Sequence, residues 1–224
     1  MKKWISRGIL CLSVPAVVIG GAWLFPGRRW VWGALCVVLL ACAAVFLRFE
    51  RKPADAKRLI LIAALTALSV LGRILFAPIP SFKPVTAMVV ITAMYFGSEA
   101  GFLTGALSAI LSNIWFGQGA WTPFQMFAWG FVGFLAGLLA APLKKSRLLL
   151  AVYGALSGVL YSFLMDIWTV LFIDGYFNFP RYLAAIVSAA PVTATYAVSN
   201  VIFLLLLAPP IGRILMRIKT KYAL

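Results

Sequence analysis

The sequence contains no histidine and only five acidic residues among its 224 residues. An enzyme needs groups that transfer protons, attack a substrate or hold a metal ion. The absence of histidine excludes a Ser-His dyad, and no two acidic residues have an obvious catalytic spacing. The chain also lacks a GxxxxGK(S/T) phosphate-binding loop, so we do not expect it to hydrolyse ATP itself. These absences argue against an enzyme, and any uphill transport would draw its energy from an ion gradient or a partner.

Cysteine is also scarce. Cys11, Cys36 and Cys42 all lie in the first two apolar segments of the chain. They show neither metal-ligand spacing nor the pattern of a disulfide framework. We interpret them as small apolar residues that face lipid or a neighbouring helix, and we expect no metal and no cofactor in this chain.

Charged residues make up only 11% of the sequence, whereas 64% of the residues are hydrophobic. A soluble domain of this length needs far more charge to cover its surface. Several apolar runs approach or exceed the ~18 residues that are needed to cross a bilayer. Lipid offers the backbone no hydrogen-bond partner, so such runs form helices or a closed barrel. Runs such as 201–208 do not alternate polar and apolar residues, and this favours helices.

Eight apolar segments can be distinguished, and two of them, 85–97 and 101–116, are short for full spans. They cover residues 9–25, 30–47, 59–76, 85–97, 101–116, 125–141, 148–173 and 183–208. A polar, basic stretch at 48–58 is the plausible internal boundary. We therefore predict an N-terminal transmembrane hairpin at 1–50, a basic cytoplasmic linker at 51–58 and a six-helix domain at 59–224.

The net charge of +15 raises the question of nucleic acid, but the basic residues lie in the short segments between apolar runs. This is the distribution that sets the orientation of membrane proteins. With eight crossings and a cytoplasmic N-terminus, fifteen of the twenty basic residues fall on the inner side. We therefore expect both termini in the cytoplasm and no nucleic-acid partner. Gly20 and Ala22 would also suit a signal-peptide cleavage site, but we favour an uncleaved first helix.

The densest group of polar and aromatic residues is SNIWFGQGAWTPFQMFAW, residues 112–129, which joins two apolar segments on the outer side. Gln125 and Trp129 are four residues apart and share a helix face. A lining of amides and indoles suits a neutral or zwitterionic organic ligand. An interfacial aromatic belt would explain the tryptophans but not the clustered amides. The candidate ligand-binding residues of this stretch are Asn113, Gln118, Trp121, Gln125 and Trp129.

Three charged residues add to this outer site. Lys83 lies in the proline-rich loop APIPSFKP, residues 77–84, which is either a plain connector or a wall of the site. Arg73 and Asp166 lie about 16 and 18 residues from the inner ends of their helices, and hence roughly 24–27 Å above them. At this matched depth they either form an ion pair or reach water separately. We include all three as candidate ligand-binding residues.

Small residues recur at four-residue spacing, which places them on one helix face where two backbones can approach closely. Gly97, Gly101 and Gly105 form one such line, and Gly133 and Gly137 form another. Spacing alone favours packing inside this protein over docking onto another membrane protein. The same holds for Ala63 and Ala67, taken by their spacing alone.

The segments PSFKPVTAMVVITAMYFGSEAGFLTGALSAILSN (residues 80–113) and FGQGAWTPFQMFAWGFVGFLAGLL (residues 116–139), with the tail RIKTKYAL, resemble the S components of energy-coupling factor (ECF) importers. The resemblance covers residues 56–224. It implies an all-α integral membrane protein in which a six-helix S-component bundle follows two extra N-terminal transmembrane helices.

The resemblance also implies a function. S components bind a vitamin or related micronutrient on the outer side of the bacterial cytoplasmic membrane and associate with a transmembrane coupling protein and two cytoplasmic ATPases, which use the ATP. An Ala-x-x-x-Ala face of the first core helix contacts the coupling protein, and Ala63 and Ala67 match it. The ligand lies under the loop at 77–84, and the Trp-Thr-Pro and Gln pattern suggests a cobalamin-like ligand. The alternative function is a stand-alone ion-coupled secondary transporter, for which Asp166 is the only core candidate.

Overall fold

The computed structural model describes residues 13–21, 29–50 and 56–222, and these ranges contain helices and connecting turns but no strand. The helices are α1 (residues 13–21), α2 (Arg29–Glu50), α3 (Ala56–Leu75), α4 (Val85–Phe96), α5 (Ser98–Phe116), α6 (Thr122–Leu138), α7 (Ala140–Lys145), α8 (Arg147–Asp174) and α9 (Phe179–Tyr222). Three of them, α3, α8 and α9, are long and apolar enough to cross a membrane, and α2, α4 and α6 contain shorter apolar stretches.

The described helices follow the predicted apolar segments closely. Two differences concern the second half of the chain: a short helix, α7, follows α6, and α9 continues past residue 208 to Tyr222. At ~1.5 Å per residue its 44 residues extend about 66 Å, far more than the ~30 Å apolar layer. Several residues of these predictions lie outside the described residues: the proposed cleavage position Ala22, Cys11, the basic residues of the first twelve positions and residues 51–55 of the linker.

Local sequence explains several helix ends. The Ser146 side chain accepts a hydrogen bond of 3.2 Å from the Leu149 N–H, an N-cap that starts α8. Gly175 ends the same helix at φ 77°, a left-handed conformation that side chains disfavour. Gly97, at φ 92°, separates α4 from α5, so that the two helices turn sharply against each other.

Helix α4 is the centre of the bundle. All residues from Val85 to Met94 are buried, including the polar Thr86 and Thr92. The Thr92 hydroxyl donates a hydrogen bond of 2.8 Å to the Met88 carbonyl oxygen, which satisfies it without an outside partner. Because neighbouring helices surround it, this helix of 12 residues does not need the length of a lipid-exposed span. Its shortness agrees with the short apolar segment that the sequence shows at 85–97.

Glycines bring α5 and α6 into backbone contact. A Cβ atom at Gly101 would collide with the Gly133 carbonyl oxygen, and one at Gly105 would collide with the backbone of Trp129. Gly137 lies equally close to the backbone of Ser98. The prediction that the glycine lines pack inside the protein is therefore confirmed for Gly101, Gly105, Gly133 and Gly137, whereas a Cβ atom at Gly97 would have no atom within 4 Å. The same device joins α8 to α9, where Gly158 faces the backbone of Ala197.

Helices α1 and α2 also pack against the bundle. Phe46 of α2 contacts Phe102 of α5 edge to face, with 6.4 Å between ring centroids. Val14 and Val18 of α1 lie against Phe124 and Phe127 of α6. The N-terminal helices therefore share one apolar core with the bundle.

The two ends of the bundle differ in charge. At one end, the Lys219 ammonium donates a hydrogen bond of 2.8 Å to the Tyr95 carbonyl oxygen, and Lys144 lies over the Tyr95 ring. Lys57 lies over the ring of Tyr222 at the same end. We call this the basic end. The opposite end contains the loop at 77–84 and the junction between α5 and α6.

Candidate functional site

The candidate site is a hydrogen-bonded network at the end of the bundle opposite the basic end. It begins with Arg73 in the last turn of α3. The Arg73 guanidinium donates hydrogen bonds to the Ser112 hydroxyl and, at 2.8 Å, to the Asn113 amide oxygen. Both acceptors are buried on α5. Arg73 is thereby held between helices by neutral groups rather than by a carboxylate.

Asn113 connects three helices. Its amide nitrogen donates one hydrogen bond of 3.0 Å to the Thr122 hydroxyl and another of 2.8 Å to the Gln125 amide oxygen, both on α6. Its amide oxygen accepts from Arg73. Both donors of this amide are occupied, so the orientation of the side chain is determined by its neighbours. A buried amide in this position has little freedom to turn.

The network ends on aromatic rings. The Gln125 amide nitrogen donates a hydrogen bond of 3.0 Å to the Tyr161 hydroxyl of α8. Tyr161 stacks on Trp129, with 5.1 Å between ring centroids and 18° between ring planes. Tyr196 of α9 meets the Tyr161 ring edge to face at 5.3 Å. Three aromatic rings from α6, α8 and α9 therefore form one wall of the site.

Arg73 also faces aromatic rings. Its guanidinium carbon lies 4.6 Å from the Phe116 ring centroid and 5.0 Å from the Trp129 ring centroid. A cation near the face of a ring is attracted to its negative quadrupole. These contacts and the hydrogen bond to Asn113 hold the positive charge of Arg73 among the neutral groups of the network.

The loop at 77–84 covers this network. Ser81 adopts a positive φ of 58°, which is uncommon for a residue with a side chain. The Lys83 N–H donates a hydrogen bond of 2.9 Å to the Ser199 hydroxyl, which ties the loop to α9. The Lys83 ammonium donates to the Phe76 carbonyl oxygen at 3.2 Å. Burial, together with the nearby charge of Arg73, lowers the pKa of Lys83.

The structure brings together most of the residues that the sequence singled out. Arg73, Asn113, Gln125 and Trp129 form the network, and Lys83 lies at its edge over the Phe116 ring. Two of the predicted residues are peripheral. Gln118 is exposed and accepts a hydrogen bond of 3.0 Å from Thr122, and Trp121 is 43% exposed.

Asp166 lies outside the network. It is buried on α8, and one carboxylate oxygen has no hydrogen-bond partner. Arg73 and Asp166 both lie in the described part of the chain, and no ion pair joins them. Arg73 is instead satisfied by Ser112 and Asn113, because α3 packs against α4 and α5 rather than α8. Of the two alternatives left open by the sequence, the ion pair is therefore wrong. A separate ion pair of 2.7 Å joins Arg181 to Asp174.

Sequence reasoning did not identify Tyr161, Tyr196 and Phe116 as parts of the site. The two tyrosines lie on helices that are distant in sequence from the 112–129 stretch, and nothing in their local sequence marks them. Phe116 lies within that stretch but carries no polar group. Only the packing of α6 against α8 and of α8 against α9 shows their role.

The site is suited to binding rather than to covalent chemistry. Its polar groups are amides, hydroxyls and one guanidinium, and it contains no carboxylate or thiol. Among the described residues, no cluster of three or more His, Cys, Asp or Glu side chains could hold a metal ion. Amides beside aromatic faces are the groups that orient a flat, polar, uncharged molecule.

Comparison with known protein families gives a match. A sequence model of the family described as "ECF-type riboflavin transporter, S component" matches residues 54–217. That range includes every residue of the network. No curated protein and no solved structure matches the chain.

Proposed function

The chain belongs to the family of ECF-type riboflavin transporter S components, and we propose that it binds riboflavin, or a vitamin of closely similar shape, at the Arg73–Asn113–Gln125 network. Its family and its apolar helices make it a membrane protein of vitamin uptake. Members of this family are transporter subunits, and we propose no enzymatic activity for this chain. The proposed ligand site rests on one observation, the network of amides and aromatic rings under the 77–84 loop.

The chemistry of riboflavin is complementary to this network. Its ring system is flat, uncharged and edged with carbonyl and N–H groups, and its side chain carries hydroxyls. The amides of Asn113 and Gln125 supply both donors and acceptors, and the rings of Trp129 and Tyr161 supply aromatic faces. Arg73 would donate to a carbonyl oxygen of the ring. On binding, hydrogen bonds between the ligand and these side chains would replace some of the hydrogen bonds that the side chains now make with one another.

The family match does not support the cobalamin-like ligand expected from the Trp-Thr-Pro and Gln pattern. Gln118, Trp121 and Lys83 lie at the edge of the site, and we propose that they contact the ligand as it enters. Asp166 lies outside the network, and we propose for it at most an indirect part in binding.

We propose that the subunit works with a transmembrane coupling protein and two cytoplasmic ATPases, and that Ala63 and Ala67 contact the coupling protein. Both alanines are exposed on α3, beside the exposed Leu68 and Leu71. Small side chains on an open face let another helix approach closely. Helix α2 packs against α5 and α6, and α1 lies beside α6 and α8, so that within the described ranges this face of α3 stays exposed.

We further propose that the basic end faces the cytoplasm of a bacterial cell, with both termini on that side, because basic residues are retained there during insertion. The N-terminal hairpin at 1–50 and the linker at 51–58 would then precede the six-helix domain at 59–224. Helices α1 and α2 support the hairpin.

Direct binding tests the proposed ligand. The purified protein in detergent is titrated into riboflavin, and quenching of riboflavin fluorescence is followed to saturation, with cobalamin as the matched alternative. Saturable quenching with riboflavin, not displaced by excess cobalamin, is the expected result. A well-folded protein that binds cobalamin but not riboflavin would overturn the choice of ligand. Mass spectrometry of small molecules that co-purify with the protein gives an independent measurement.

A further inference from the structure

A groove of about 560 Å³ opens at the basic end, remote from the vitamin site. It lies between the end of α4, the short helix α7, the start of α8 and the last part of α9. Its lining residues are Met94, Tyr95, Leu143, Lys144, Lys145, Arg147, Leu150, Ala208, Pro209, Arg213 and Met216. Neither the proposed ligand site nor the alanine face of α3 includes any of them.

Positively charged side chains cluster in the lining of the groove, and no carboxylate of the lining neutralises them. Four of its lining residues are cationic, and none is a carboxylate. Burial and the charge of the nearby Lys219 lower the pKa of Lys144. Of the acidic residues in the described helices α5 and α8, Asp166 and Asp174 lie far along α8 from its first residue, Arg147, and Glu99, in the first turn of α5, does not line the groove. An anion from outside the chain would therefore relieve the repulsion among these cations.

The groove is also partly apolar. Leu143, Leu150 and Met94 contribute apolar side chains beside the cations. Next to it, Leu148 and Ile214 are 73% and 57% exposed, as expected of side chains that face acyl chains. An inorganic anion would use only the cations of such a groove. A molecule with a phosphate headgroup and a hydrocarbon tail would use both parts.

We propose that this groove binds the headgroup of an anionic phospholipid, with the phosphate held by Lys144, Arg147 and Arg213 and the acyl chains lying on the adjoining apolar surface. Arg side chains hold phosphate oxygens through paired N–H donors, and basic pockets between helices at the cytoplasmic interface suit such headgroups. The inference does not depend on which vitamin the protein binds.

The test compares two double variants that each remove two charges from the basic end. K144Q with R213Q removes two cations of the groove, whereas R217Q with K221Q removes two exposed cations outside it. Each protein in detergent is titrated with phosphatidylglycerol, phosphatidylcholine and inorganic phosphate, and bound lipid is counted by native mass spectrometry. Thermal melts confirm that both variants fold.

We expect the wild type to retain phosphatidylglycerol in preference to phosphatidylcholine, and the groove variant to bind phosphatidylglycerol about ten-fold or more weakly. The outer variant should keep at least half of the wild-type affinity. Equal loss in both double variants would indicate unspecific attraction and would overturn the proposal. Saturable binding of inorganic phosphate without preference for phosphatidylglycerol would overturn it as well. Riboflavin binding measured on the same samples separates this result from that of the vitamin site.

Discussion

The Arg73 guanidinium and the Asn113 amide oxygen are joined by a hydrogen bond of 2.8 Å that links the last turn of α3 to the last turn of α5. The Asn113 amide nitrogen also donates a hydrogen bond to Gln125, which links α5 to α6. Three helices thus share one amide, which places a cation, two amides and the ring of Trp129 within one small volume.

Replacement of Asn113 by Leu should weaken riboflavin binding by about ten-fold or more. The variant leaves the Gln125 oxygen without its donor and Arg73 without its amide acceptor, and a buried polar group without a partner costs ~1–3 kcal/mol. The measurement is fluorescence titration of purified protein. Asn200→Leu is the matched control, since Asn200 is a buried amide that bonds to Ser157 outside the network. Equal loss of affinity in both variants would argue against a specific role of Asn113.

Gln125→Leu and Trp129→Ala should each weaken binding by about ten-fold or more, since ~1.4 kcal/mol corresponds to a factor of ten. Gln125→Leu also removes the donor to Tyr161, so its melting temperature should fall together with its affinity. Trp129→Ala removes the ring that stacks on Tyr161 and faces Arg73.

Cys36→Ala serves as the control for these two variants. Cys36 is exposed on α2, so its replacement should change neither the affinity for riboflavin nor the melting temperature. Wild-type affinity in well-folded Gln125 and Trp129 variants would move the ligand site elsewhere, towards Asp166 and Arg181.

Ala63→Trp and Ala67→Trp should abolish riboflavin uptake in cells that contain the coupling protein, and should leave riboflavin binding to the isolated subunit intact. A large side chain on this exposed face keeps the partner helix at a distance. Uptake and binding are measured in parallel. Leu156→Trp, on an exposed position of α8, provides the control and should transport normally. Unchanged uptake in both alanine variants would contradict the proposed contact.

The energy source can be tested with the subunit alone. Reconstituted in liposomes, it should bind riboflavin without accumulating it, because the chain contains no phosphate-binding loop. Accumulation should appear only when the coupling protein, both ATPases and ATP are added. Accumulation driven by a proton or sodium gradient without the ATPases would instead support an ion-coupled transporter, and Asp166→Asn would then be the variant to examine.

Gly133→Leu should destabilise the bundle. A side chain at this position meets the backbone of Gly101, and overpacking of this kind typically costs ~1–3 kcal/mol, or more where backbone must move. We expect the melting temperature in detergent to fall by about 5 °C or more. Gly20→Ala is the control, because no atom lies within 4 Å of a Cβ there. Equal melting temperatures for the Gly133 variant and the wild type would show that α5 and α6 can separate at no cost.

Much of the fold follows from the sequence alone. Hydropathy and charge act locally: an apolar run must form a helix in lipid, and lysines between runs collect at one side. Hence the positions of the helices, and the 112–129 stretch with Asn113, Gln125 and Trp129, could be predicted without any structure. The four-residue glycine spacing likewise predicted close helix contacts, although spacing does not say with which helix.

Tertiary structure decided which residues meet. The rise per residue gives the depth of Arg73 and Asp166, and their depths match, but it does not give the direction in which each helix faces. Because α3 packs against α5, Arg73 binds Asn113, and Asp166 on α8 forms no ion pair with Arg73. Tyr161 joined the site for the same reason, through contacts with α6 that no local pattern encodes. Depth in a membrane is a property of one helix, whereas a binding site depends on the relative rotation of several.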